Sequence, residues 1–170
     1  MTKRIIEVKG FRQEQYYTCG CASFRTVINT LGLPDVDEME LEKLLGTTHR
    51  SGTHYSKMVE VASKFDLDVV SGSNATIKQL DDLIADDWIV VLVYSVDGPH
   101  YSVYLGNNDN HLFLYDPGTN TKTSHQIKKF VRSYWSVDVN QLSFIIYEWD
   151  LDLTPEKDNS NKWFVAYKKK

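Results

Sequence analysis

Apolar residues fall on a helical period directly after Cys19: Phe24, Val27, Ile28 and Leu31, with Gly32 and Pro34 as stop signals. This predicts a helix that opens at Cys19 and closes near Leu31. Met39, Leu41, Leu44 and Leu45 mark a short amphipathic helix over 37–45, acidic at its start and stopped by Gly46. A polar loop over 47–52 follows. Thr53 is the expected cap of a third helix running to about Phe65, with Met58, Val59, Ala62 and Phe65 on one face. Thr76-Ile-Lys-Gln79 has the form of a capping box and opens a fourth, to about Ala85.

Beyond this point the pattern changes. Leu67 to Val70 reads as a short strand, and Trp88-Ile-Val-Val-Leu-Val-Tyr94 as a buried one, being short, β-branched and continuous. Asp97-Gly98 is a hairpin signal. His100-Tyr-Ser-Val-Tyr-Leu-Gly106 and His111-Leu-Phe-Leu-Tyr115 complete a meander, separated by the turn Asn107 to Asn110 and ended by Asp116-Pro117-Gly118. A helix is expected near 126–134, a core strand over 142–147, an exposed loop over 151–162, and a last strand at 163–167, added at an edge or docked as a tail. Helices first and antiparallel strands second predict an α+β fold.

The chemistry centres on Gln13-Glu-Gln-Tyr-Tyr-Thr-Cys19-Gly-Cys-Ala-Ser23. A thiol in the first turn of a helix meets unpaired N–H groups and the positive end of the dipole, which favour thiolate over thiol. The same N–H groups can hold an oxyanion after attack on a carbonyl, and the Gln13 amide is placed to be a second donor. His100 begins one strand and Asp116 ends its neighbour, so antiparallel pairing brings both to one edge of the sheet. A carboxylate there can take one imidazole nitrogen and leave the other for the thiol. Cys21, about 200° around the helix from Cys19, should face the core. Trp88, Tyr94, Tyr101 and Tyr16 are candidates to line a cleft.

These pieces resemble the bacteriocin-processing cysteine peptidases, which cut leader peptides after double-glycine motifs and often form the N-terminal domain of peptide-exporting ABC transporters. The resemblance runs from about Phe11 to Trp135. It rests on Gln13, Cys19-Gly-Cys-Ala-Ser23, Gly52-Thr53 before a helix, the apolar strand, His100-Tyr-Ser-Val, Asp116-Pro117 and Phe130-x4-Trp135, in the family's order. It implies a papain-like fold, a helical lobe carrying the nucleophile packed on an antiparallel sheet. It also implies Cys19 as nucleophile, His100 as base and acid, Asp116 as orienting residue and Gln13 as oxyanion donor. Thr18 stands where the family usually has an acidic residue, and Cys21 where it has a small aliphatic one. The expectation is a stand-alone soluble member without the transporter part, acting on a peptide or protein substrate. A non-catalytic peptide-binding module on the same fold is the alternative reading. An amidase, deamidase or acyl-transferase effector using the same triad is another.

Length and composition narrow this further. The 170 residues suit one domain, with residues 1–150 forming the peptidase body and 151–170 its C-terminal loop and final strand. A net charge of −4, with basic residues clustered only in the last three lysines, argues against a nucleic-acid partner. The N-terminal residues lack an apolar signal region, and the longest apolar run, seven residues, is too short to span a bilayer, so no membrane partner is expected. Two cysteines two positions apart form no disulfide framework, which suits a reducing cytoplasm, although an effector exported without a signal would read the same. Cys19-Gly-Cys21 and the five histidines, His49 and His54 among them, raise zinc as a question. Structural zinc sites want ligand pairs two to four residues apart, and no second pair exists, so neither metal nor cofactor is expected.

Overall fold

The computed structural model describes residues 3–96, 98–135 and 162–170. Helix α1 (Cys19–Thr30) ends as its stop signals require: Leu31 closes it and Gly32 takes a φ of 73°. Helix α2 (Glu38–Leu45) is capped by the Asp37 carboxylate, which accepts the Glu40 N–H, and it ends at Gly46 in the left-handed region. The third helix differs from expectation. His54, not Thr53, is its N-cap, accepting the Ser56 N–H through the imidazole; α3 (Tyr55–Glu60) then tightens into a 3-10 turn (Val61–Lys64). Thr53 is instead buried, its hydroxyl bonded to that of Thr47 at 2.7 Å. The predicted capping box is present at the start of α4 (Ile77–Ala85), with both reciprocal bonds formed between Thr76 and Gln79.

The strands β1 (Leu67–Gly72), β2 (Ile89–Ser95), β3 (Pro99–Asn107), β4 (His111–Asp116), β5 (Thr121–Gln126) and β6 (Phe164–Lys169) form one antiparallel sheet ordered β1-β6-β2-β3-β4-β5. Two features depart from the sequence reading. Strand β6 is not at an edge: it lies between β1 and β2, with Val165 opposite both Ser71 and Val91. Strand β5, Thr-Lys-Thr-Ser-His-Gln, was not anticipated and forms the outer strand beside β4. The expected helix near 126–134 is a short α-turn (α5, Ile127–Lys129) continuing into a π-turn (Phe130–Tyr134). The core strand expected over 142–147 and the loop over 151–161 lie outside the described residues.

Apolar residues pack on both faces of the sheet. On one, Cys21, Phe24, Val27 and Ile28 of α1 meet Val91, Val93, Val103 and Tyr167. On the other, Leu80 and Ile84 of α4 with Phe130 and Trp135 meet Val90, Leu92, Tyr104 and Leu114. Strand β2 therefore carries no polar face, which explains its unbroken apolar run. A side chain the size of these stabilises by about 1.5–3 kcal/mol when fully buried, so α1 is anchored by several such contacts along one stripe. That anchorage fixes where Cys19, at its first turn, stands relative to the sheet. Among the described residues no helix is long and apolar enough to cross a membrane.

Candidate active site

Cys19 is half-buried at the start of α1, where the leading N–H groups of the helix point outward. Thr18, the N-cap, does not cover them with its own side chain. Instead its hydroxyl donates to Glu38 Oε1, and the Gln15 N–H donates to the same hydroxyl oxygen at 3.1 Å. Gly20 is required here by close packing: a Cβ at this position would sit 2.5 Å from Thr53 Oγ1 and 2.7 Å from Thr53 Cβ. Cys21 is fully buried, and its thiol donates to Thr47 Oγ1 at 3.2 Å. Burial pushes its pKa up to about 12, against the lowering effect of that hydrogen bond.

His100, second residue of β3, pairs across the sheet with Tyr94, whose ring stands edge-on to the imidazole at 5.8 Å between centroids. Its Nε2 lies 2.7 Å from Asp116 Oδ1, at the end of β4. With Nε2 so engaged, Nδ1 is the ring nitrogen left over for the Cys19 side chain, which acts on the imidazole electrostatically. Burial pulls the His100 pKa down, but the hydrogen bonds to Asp116 and Cys19 and the charges of both outweigh it, raising it to about 10. Asp116 moves the opposite way. Burial would raise its carboxyl, yet the His100 bond and charge and the N–H groups of Gly118 and Thr119 hold it below its usual value. The ring and the carboxylate thus favour the imidazolium–carboxylate pair.

Gln13 reaches the same place from the N-terminal segment. Its backbone N–H donates to Pro117 O at 3.0 Å, tying the Gln13 loop to the turn after Asp116. Its side-chain Nε2 donates to Gln15 O at 2.7 Å, which fixes the amide and leaves one N–H unspent. Gly118 sits where these groups converge. The Asp116 Oδ1 accepts its N–H at 2.7 Å, and a Cβ there would stand 3.1 Å from that oxygen, 3.4 Å from His100 Cε1 and 3.5 Å from Gln13 Oε1. All four residues singled out in the sequence are therefore brought together.

The cleft candidates divide. Tyr94 and Tyr101 are buried beside the site, with Tyr94 donating to or accepting from Ser102 Oγ at 2.9 Å and Tyr101 donating to Thr53 O at 3.0 Å. Tyr16 is 77% exposed, three residues before Cys19, with its ring against Tyr17. Trp88 is misplaced by the sequence reading: it precedes β2 at the end of that strand remote from His100, its indole N–H on Asp86. Sequence reasoning missed Gly118, although the Asp-Pro-Gly turn was the available signal. It also missed Glu38, for which the local sequence offers none.

Comparisons with known proteins show the family and the fold. A profile of the peptidase C39 family matches residues 7–137. An uncharacterized protein of Methanothermobacter marburgensis is 32% identical over 106 residues, 62% of this chain and 69% of the relative. Two solved structures share the fold. One is a double glycine motif protease from an AMS/PCAT transporter in complex with the leader peptide (TM-score 0.68, 14% identity, covering 100% of this chain and 97% of that one). The other is the peptidase domain of Streptococcus ComA, a bi-functional ABC transporter of a quorum-sensing pathway (TM-score 0.67, 20% identity, covering 96% and 100%).

Proposed function

The chain belongs to the peptidase C39 family of cysteine peptidases, and on that premise we propose that Cys19, His100 and Asp116 cleave a peptide bond with Gln13 as an oxyanion donor. The observation that carries this reading is the setting of one imidazole: its Nε2 lies 2.7 Å from Asp116 Oδ1, and the Cys19 side chain acts on the same ring to raise its pKa. The Cys19 sulfur adds to the scissile carbonyl carbon while the imidazolium holds the thiol's proton. The carbonyl electron pair moves to oxygen, and in this reading the oxyanion accepts from the Cys19 N–H and from the second Gln13 Nε2 hydrogen. Collapse breaks the C–N bond, His100 delivers its proton to the leaving amine, and a thioester remains on Cys19. Water then attacks that thioester with His100 as base, releasing the acid. Asp116 holds the ring in one tautomer and offsets its charge throughout.

The substrate in this proposal is an extended peptide of the leader type, on the fold shared with the protease solved with its leader peptide. A reducing cytoplasm suits two free thiols. The test is cleavage of a fluorogenic peptide amide ending in Gly-Gly. Cys19→Ala should abolish it, and Gln13→Ala should lower kcat by about 10²–10³, the usual loss for one oxyanion donor. Undiminished cleavage by Cys19→Ala would end the proposal.

A further inference from the structure

Glu38 is a carboxylic acid at the first position of α2, yet it is 1% exposed. Its Oε1 accepts the Glu14 N–H at 2.8 Å and the Thr18 hydroxyl, the two ends of the turn that runs from Gln13 to Cys19. Its Oε2 is buried and has no hydrogen-bond partner among the described residues. A buried carboxyl with an idle oxygen is an expensive way to close a turn, since a neutral group would avoid the desolvation. The arrangement asks for a second consequence, and the donors around Gln15 O supply one.

That carbonyl is approached by the Gln13 Nε2 at 2.7 Å, the Thr18 hydroxyl at 3.0 Å and the Thr18 N–H at 3.2 Å. The hydroxyl has one hydrogen to give. A carboxylate draws it more strongly than a neutral carbonyl does, because the bond is charge-assisted. With the hydroxyl hydrogen on Glu38, Gln15 O is left to the Gln13 amide and the Thr18 N–H, and the amide is thereby fixed through one of its two N–H bonds. We propose that Glu38 is a positioning residue that, through Thr18 and the Gln15 carbonyl, holds the Gln13 amide in its oxyanion-binding orientation. This rests on the role proposed for Gln13 above. Among the described residues Glu38 makes no hydrogen bond to the thiol or the imidazole, so it acts on the oxyanion and not on the nucleophile.

Two probes of Cys19 separate those effects. Acetyl-glycyl-glycinal forms a hemithioacetal: the S–C bond forms, the carbonyl pair moves to oxygen, and that oxygen takes the imidazolium proton in the site Gln13 faces. Iodoacetamide alkylates the sulfur with loss of iodide and develops no oxyanion. Glu38→Leu should weaken aldehyde affinity about tenfold or more while leaving the alkylation rate within about twofold. Glu38→Gln, whose neutral amide oxygen can still accept from Glu14 but has no charge to draw the Thr18 hydroxyl from Gln15 O, should recover only part of the affinity. In a Gln13→Ala background Glu38→Leu should have no further effect, because the group it orients is gone. Thr18→Val removes the hydroxyl that competes for Gln15 O, so it should keep the aldehyde affinity near wild type although Glu38 loses that partner, and this tests the inference even if Glu38→Leu does not fold. Losses that multiply with Gln13→Ala, or that strike both probes equally, overturn it. If wild-type Cys19 reacts with iodoacetamide no faster than Cys21, the nucleophile reading itself falls, and that outcome does not depend on Glu38.

Discussion

Replacing Asp116 should lower the alkaline limb of the peptidase pH profile. In the proposed mechanism His100 must be protonated to deliver a proton to the leaving amine, so activity should fall as pH passes the imidazolium pKa. That value is raised from the ordinary 6.5 to about 10. Burial, the largest influence, works against this rise, and the Asp116 bond is the first of the influences that overcome it. Removing Asp116 therefore leaves burial opposed by Cys19 alone, and the pKa should move from about 10 toward 6.5. At pH 8 a group of pKa 10 is almost wholly charged, whereas one of pKa 6.5 is about 3% charged, so the competent fraction falls by up to roughly thirtyfold. Asp116→Ala also removes the acceptor for the Gly118 N–H at 2.7 Å, so Asp116→Asn, which keeps an oxygen there and removes only the charge, is the companion variant.

The assay is kcat against pH on the Gly-Gly peptide amide, with a proton NMR titration of the His100 Cε1–H as a check free of turnover. Both variants should show the limb displaced downward, Asp116→Ala the further. Stability follows the same linkage. A histidine whose pKa is raised on folding contributes stability that is complete below 6.5 and lost as pH rises through about 10. Asp116, lowered on folding, contributes above its ordinary 3.8 and loses that contribution as pH falls through its folded value. The stability difference between wild type and Asp116→Ala should accordingly be greatest between these two ordinary values. A limb that stays near pH 10 in both variants would show that Asp116 does not sustain the imidazolium.

Native alkylation followed by mass spectrometry should give one adduct, at Cys19, because Cys21 is fully buried with its thiol pushed up to about 12; equal labelling of the two would contradict the assigned environments. Gly20→Ala should destabilise by about 1–3 kcal/mol in urea titration, since the new methyl would stand 2.5 Å from Thr53 Oγ1, and Thr53→Gly should relieve it. Unchanged stability in Gly20→Ala would refute the close approach. For Glu38→Gln the sign is the reverse of the usual acid. Burial raises the Glu38 carboxyl above its ordinary 4.5, outweighing the Thr18 and Glu14 hydrogen bonds, so folding favours the protonated form and the buried charge weakens the fold as pH rises from 4.5. Melting curves should therefore show Glu38→Gln gaining on wild type as pH rises from the ordinary 4.5, and a difference flat in pH would exclude that account.

Some of the fold was legible because its signals are local. The stops at Gly32 and Gly46 and the box at Thr76 and Gln79 each act through neighbours within four residues. The turn residues likewise fixed the β2–β3–β4 meander, which is why His100 and Asp116 were expected at one edge. Strand β5 escaped because its exposure pattern leaves no residue fully buried, so it carries no apolar alternation to read. The cap at His54 escaped because Thr is the commoner capping residue, and only the hydroxyl of Thr47 shows why Thr53 is used elsewhere.

The amino-acid order by itself determined which side chains are candidates for the chemistry and on which kind of element each stands: a thiol at a helix start, an imidazole and a carboxylate on paired strands, an amide six residues before the thiol. Tertiary structure decided the rest. It inserted β6 between β1 and β2, where Val165, Ala166 and Tyr167 are buried, and it turned Nε2 of His100 to Asp116 and enclosed Glu38 beneath the Gln13 loop. Element type follows from the spacing of neighbours along the chain. Partner choice follows from surfaces that meet only after folding, such as Tyr167 donating to Met58 O from 109 residues away, and no local pattern encodes them.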